Sequence, residues 1–133
     1  MATRAYSAGT VLAFAVAAQA AVSFVAFGLP AIGPELRRNY GLSLPELGAI
    51  LTVCLFGSGL ALIPAGIAVD RLGSRLTMLG GAALGSAGLV TAGLAGSKEA
   101  LFAALLVFGI GGAVVPVAGA GALFRAYPPS RRG

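Results

Sequence analysis

Residues 66–75 read Gly66-Ile67-Ala68-Val69-Asp70-Arg71-Leu72-Gly73-Ser74-Arg75, a short charged stretch held between two long apolar runs. Runs of that length and polarity read as membrane-spanning helices, so the stretch reads as the loop that joins two of them. Any short polar sequence could make such a joint. One acid, two arginines and two glycines at fixed spacing suggest a more specific construction.

The rest of the chain agrees with a membrane reading. Apolar residues make up 58% of the sequence and charged residues 10%, against roughly 25% charged in a soluble domain. Four stretches exceed the rough 18-residue threshold for a spanning helix, residues 8–29, 47–69, 76–95 and 100–123, and none contains an ionised side chain. The fold class expected is an all-α membrane protein of four transmembrane helices, with residues 70–75 as an inner loop. A signal peptide is the rival for the first stretch, since Arg4 precedes it and Ala18-Gln19-Ala20 resembles a cleavage site. The apolar run continues to Leu29, too long for the core of a signal peptide and about right for a span.

Arginine placement sets the expected orientation, because positive charge in short loops stays on the cytoplasmic side. With the N-terminus inside, the inner segments hold Arg4, Arg71, Arg75, Arg125, Arg131 and Arg132, with Asp70 as their acid. The outer segments set Arg37, Arg38 and Lys98 against Glu35, Glu46 and Glu99. The whole net charge of +5 therefore falls on one face. That face would meet anionic lipid headgroups, and no soluble basic surface exists to favour nucleic acid as a partner. The sequence has no histidine and a lone cysteine, Cys54, in the middle of the second span. Neither a His-based metal site nor a Ser-His-Asp or Cys-His arrangement can be assembled, so no metal, no cofactor and no enzymatic activity is expected. Cys54 reads as a small packing residue.

Local signals refine the helix ends and faces. Ser43-Leu44-Pro45-Glu46 fits a capping box, which would start the second helix at Leu44 and carry it to Val69, about 26 residues and roughly 39 Å. Residues 34–40 would prolong the first helix or form an interfacial turn. Small residues fall in stripes: Gly81, Gly85, Gly88, Ala92 and Ala95 on the third helix, Gly109, Gly112, Pro116 and Gly119 on the fourth, and Thr52, Gly59 and Gly66 on the second. In lipid such stripes let helices pack closely. Gln19 and Ser23, one turn apart on the first helix, form the evident polar pair at mid-membrane depth and are candidates either for a substrate path or for an interhelical hydrogen bond.

At the opening stretch, Asp70 stands near the C-terminus of a helix, where the dipole disfavours an acid, and Arg71 and Arg75 are placed to compensate it. Gly73 would supply a positive φ for a tight turn, and Gly66 would leave room for another helix to pass. The spacing G-x-x-x-D-R-x-G-x-R resembles the signature loop between helices two and three of the major facilitator superfamily of secondary transporters. Leu29-Pro30-Ala31-Ile32-Gly33-Pro34, Gly41-Leu42-Ser43 and Tyr127-Pro128-Pro129-Ser130-Arg131-Arg132-Gly133 are similar to the corresponding junctions of that family, so the resemblance covers essentially the whole chain.

The resemblance implies a transporter that moves a small solute by alternating access, multi-pass in the inner (plasma) membrane, with Gly66, Asp70, Arg71, Gly73 and Arg75 as a gating loop. Family members usually have twelve spans in two halves, so residues 1–133 are expected to be an N-terminal portion whose partner is the remainder, helices five to twelve. Many proton-driven members carry an arginine four residues before a glycine on the fourth helix. Here Leu105 occupies that distance from Gly109, and proton coupling through such a residue is not expected. The alternative is a small four-span membrane or assembly protein with no transport of its own.

Overall fold

A computed structural model of the chain describes residues 8–126. Five helices follow one another: α1 (Ala8–Ala31), α2 (Gly33–Tyr40), α3 (Leu44–Leu72), α4 (Ser74–Gly93) and α5 (Lys98–Ala126). Four of them, all but the short α2, are long and apolar enough to cross a membrane. Arg4, Arg131 and Arg132, and the junction after the last span, lie outside the described residues.

α2 is a helix of its own. Pro34 occupies its first turn, where a missing N–H costs no helical bond, and Glu35 lies at its positive end. It stops at Gly41, which takes a left-handed conformation at φ 62° and donates its N–H to the Arg37 carbonyl. The expected capping box is present at the start of α3. The Ser43 hydroxyl accepts from the Glu46 amide, and the Glu46 carboxylate accepts from the Ser43 amide at 2.8 Å. This fixes the first residue of α3 at Leu44.

α5 is the centre of the bundle. Of its apolar span 44% of residues are buried, against 6% for α1, and its buried positions, among them Leu101, Leu105, Phe108, Gly111, Val115 and Ala118, cover a broad face of the helix. α3 and α4 pack along it on two sides, and α1 touches it on a third. Contacts this close require glycine. A Cβ on Gly111 would stand 2.2 Å from the Gly85 amide nitrogen of α4, and one on Gly109 would stand 2.2 Å from the Cys54 carbonyl oxygen of α3. Gly81 and Gly88 are tight against Val114 and Phe108 of α5. Gly112 and Gly119 turn toward Val22 and Ala15 of α1 with ordinary van der Waals spacing.

The face that α3 offers to the bundle differs from the expected stripe. Ile50, Cys54, Gly57, Ala61, Ala65 and Val69 are buried, whereas Thr52 is exposed and nothing lies within 4 Å of a Cβ at Gly59 or Gly66. Both sets recur at helical spacing. The packed set wins because Gly57 brings α3 within reach of the Leu106 carbonyl of α5, 2.7 Å from where a Cβ would stand.

Candidate functional site

The loop read at residues 70–75 contracts to a single residue. α3 runs through Asp70 and Arg71 to Leu72, α4 begins at Ser74, and Gly73 alone joins them. Its backbone, φ 84° and ψ 157°, belongs to a region open essentially to glycine. That geometry lets the chain reverse while Gly73 serves both helices. Its N–H donates to the Val69 carbonyl as the last bond of α3, and its carbonyl accepts from the Thr77 amide as the first bond of α4. The Thr77 hydroxyl donates to the same carbonyl at 2.9 Å.

Asp70, Arg71 and Arg75 are all exposed on this end of the bundle. The expected compensation of Asp70 by the two arginines is not formed, since Asp70 makes no ion pair with another described residue. Successive residues on a helix point about 100° apart, so Arg71 leaves Asp70 on a different face. Arg75 stands on the next helix, beyond the reversal. Gly66, one turn before Asp70, faces open space, so the room it was expected to leave for a neighbour is unfilled among the described residues.

The opposite end is tied by charge. Lys98, at the start of α5, donates from Nζ to Glu46 Oε1 at 2.7 Å, and the Tyr40 hydroxyl donates to the Ala95 carbonyl at 2.9 Å. Arg37 Nε donates to the Leu42 carbonyl, and Arg38 pairs with Glu35 on α2. Beneath them Leu29, Leu42, Ile50, Leu101 and Leu105 form a buried apolar cluster. Residue 105, where many proton-driven relatives of the expected family carry an arginine, is thus a leucine only 2% exposed. No group of three or more potential metal ligands occurs among the described residues.

Gln19 and Ser23 come together, but within one helix: Gln19 Nε2 donates to Ser23 Oγ at 3.4 Å. Both line a groove of about 430 Å³ between α1 and α5, opposite Pro116, Gly119 and Ala120. Neither makes an interhelical hydrogen bond to another described residue. Pro116 has no N–H to give the Gly112 carbonyl, one turn earlier on α5, so the helix loses a rung beside the same groove. The groove is otherwise walled by apolar side chains, and Gln19 keeps its amide oxygen and one N–H for a further partner.

Sequence reasoning missed Gly111, the tightest glycine of the α4–α5 crossing, because three helices surround α5 and a one-dimensional stripe cannot assign glycines to neighbours. It also missed the Glu46–Lys98 bridge, whose partners lie on different helices. A signal existed for the latter: an acid and a base at the ends of separate spans.

Compared with known proteins, residues 7–133 match the family model described as Major Facilitator Superfamily. The sequence matches no curated protein and no solved structure.

Proposed function

The chain belongs to the major facilitator superfamily, and from that premise we propose that it forms the first four helices of a transporter that moves a small solute by alternating access. It is a multi-pass membrane protein of a transporter family. The observation that carries the finer reading is the one-residue reversal at Gly73, which holds Asp70 and Arg75 exposed at one end of the bundle with no ion pair to another described residue. Charges held out in this way are available to a second body that meets and leaves them, as a gate requires.

In this reading the Gly73 end is cytoplasmic, in the inner (plasma) membrane, because the surplus arginines gather there while the Glu46–Lys98 end is balanced. The groove between α1 and α5, with Gln19 and Ser23 on its wall, forms part of the solute path. The described residues carry no ionised side chain at mid-membrane depth, so coupling to protons would need groups from the remaining helices.

Flux measurements test the proposal. In liposomes the 133-residue chain alone should show no saturable uptake of sugars, amino acids, organic anions or drugs, since four helices form only part of a cavity between two halves. A longer protein that begins with these residues should show it, with Gln19→Leu raising KM. Saturable uptake by the short chain would overturn its reading as a portion of a larger transporter.

A further inference from the structure

Two interior prolines stand at one depth of the bundle. α3 and α5 run in the same direction, because the Ser58 hydroxyl stands 3.0 Å from the Gly109 carbonyl and Val69, further along α3, meets Gly121, further along α5. Pro64 lies six residues beyond Ser58 and Pro116 seven beyond Gly109, while Val69 and Gly121 are each five further on. The Leu60 and Gly112 carbonyls therefore lack the rungs they would take from residues 64 and 116 at the same level. α4 passes that level at Gly80–Gly81, where Gly81 meets Val114, two residues before Pro116. After proline, glycine is the weakest helix former.

The packing differs on the two sides of this level. Among the described residues, the places where an added Cβ would meet backbone closer than 3 Å all precede Pro116: Gly57 at Leu106, Gly88 at Phe108, Gly109 at Cys54 and Gly111 at Gly85. The Glu46–Lys98 bridge and the apolar cluster around Leu105 lie on that side too. On the other side a Cβ on Gly121 would meet only side chains, Val69 Cγ1 at 2.9 Å and Ser74 Oγ at 3.1 Å. Those contacts join the ends of α3, α4 and α5 to one another, and Gly73 links two of them directly. α1 crosses the level at ordinary van der Waals spacing from Gly112 and Gly119, and so does not clamp it. Space adjoins both prolines. A groove of about 370 Å³ between α3 and α5 has Pro64, Ala65 and Ala68 on its wall, and the groove beside Gln19 has Pro116.

We propose that the bundle bends at this level, with the Gly73 end tilting as one piece about Pro64, Pro116 and Gly80–Gly81. Helices kink where the hydrogen-bond ladder is interrupted, and here it is interrupted in register on two helices whose ends are packed together. Pro64 stands about 12 Å from Leu72 along the helix, so a kink of about 20° displaces the Gly73 end by roughly 4 Å. The bend is a property of these helices and needs no transport. In a transporter it carries Asp70 and Arg75 with it.

Amide 15N relaxation dispersion on the 133-residue chain in nanodiscs reads the microsecond-to-millisecond motion typical of hinges. Ala65, Gly80 and Val117, one beside each interruption, should exchange at a single shared rate. Pro64→Ala gives the Leu60 carbonyl a donor that bending must break. It should lower the bent population about fivefold, the weight of one backbone hydrogen bond, and should do so at Gly80 and Val117 as well as on α3. Pro116→Ala should act reciprocally at Ala65. Gly59→Ala, on the face of α3 where an added Cβ meets nothing, should leave the exchange intact. A faster bend appears instead in the 15N–1H dipolar couplings of oriented bilayers, scaled by one factor over residues 65–79 and 117–126 with a step at each proline.

Full couplings together with no exchange would overturn the proposal. So would separate rates at the three sites, or an effect of Pro64→Ala confined to α3, since the interruptions would then act independently. Couplings that decline residue by residue toward Ala126, without a step at Pro116, would be fraying of a helix end and would overturn it as well.

Discussion

Lys98 Nζ stands 2.7 Å from Glu46 Oε1, and the other oxygen of the same carboxylate accepts from the Ser43 amide at 2.8 Å and the Ser43 hydroxyl at 2.9 Å. One side chain thus completes the N-terminal cap of α3 and ties that terminus to the start of α5. Glu46→Ala should therefore lower the melting temperature in detergent more than Lys98→Ala, because it removes the cap with the bridge. Once Glu46 is gone, adding Lys98→Ala should cost little more. If the two losses simply added, the bridge would not be what Lys98 contributes. Ser43→Ala, which leaves the bridge in place, should cost about 1 kcal/mol.

The closest contact between α4 and α5 lies at Gly111 and Gly85, where a Cβ on Gly111 would stand 2.2 Å from backbone. Backbone cannot yield as the end of a flexible side chain does, so Gly111→Ala must separate the two helices. A loss of about 1 to 3 kcal/mol is expected, seen as a lower unfolding midpoint. Gly59→Ala meets open space within a helix, and alanine's better propensity should add up to about 1 kcal/mol. Equal behaviour of the two variants would mean that α4 and α5 do not pack at this crossing.

The contrast between these glycines marks what the sequence made legible. Hydropathy located the four spanning stretches, since a run of apolar residues is a local property, and the Ser43–Glu46 cap was readable because its partners are three positions apart. The faces were harder. Thr52, Gly59 and Gly66 form as regular a stripe as Cys54, Gly57, Ala61 and Ala65, and only the position of α5 decides which is used. Charge at residues 70–75 was read as a loop, yet Asp70 and Arg71 extend α3. A helix end at a membrane surface accepts charged residues as readily as a loop does. The candidate site was legible at Gly73 through its turn chemistry, and its neighbours' pairing was not, because that depends on where side chains point across a reversal.

Gly73 offers the sharpest local test. At φ 84° and ψ 157° even alanine is strained, at a cost of about 1 to 3 kcal/mol, and a β-branched residue is worse. Gly73→Ala should lower the unfolding midpoint and Gly73→Val should reduce the yield of folded protein further. Gly41 is left-handed at φ 62°, a region that asparagine tolerates. Gly41→Asn should therefore be mild, whereas Gly73→Asn should not. Equal tolerance at the two positions would contradict the reversal geometry.

Orientation can be read with an impermeant thiol reagent on whole cells. Ser74 is a poor position for a reporter because it is buried, whereas Leu72 is 62% exposed and Ser97 is exposed. In a Cys54→Ala background, Leu72→Cys should be protected and Ser97→Cys labelled, as the arginine excess at the Gly73 end requires. The reverse pattern would place the Gly73 end outside and remove the cytoplasmic assignment of the gate.

Asp70 separates a conformational role from a structural one. Its side chain is exposed and makes no ion pair with another described residue, so Asp70→Asn, which keeps the shape and removes the charge, should leave the unfolding midpoint of the 133-residue chain unchanged. In a transporter that begins with these residues the same substitution should cut the transport rate severely while substrate still binds, because a gate charge biases the inward and outward states without touching the solute. A stability loss in the short chain would mean that Asp70 supports the α3–α4 junction instead. Wild-type transport by Asp70→Asn would leave Asp70, Arg71 and Arg75 as a charge cluster that orients the helices during insertion and does nothing further in the cycle.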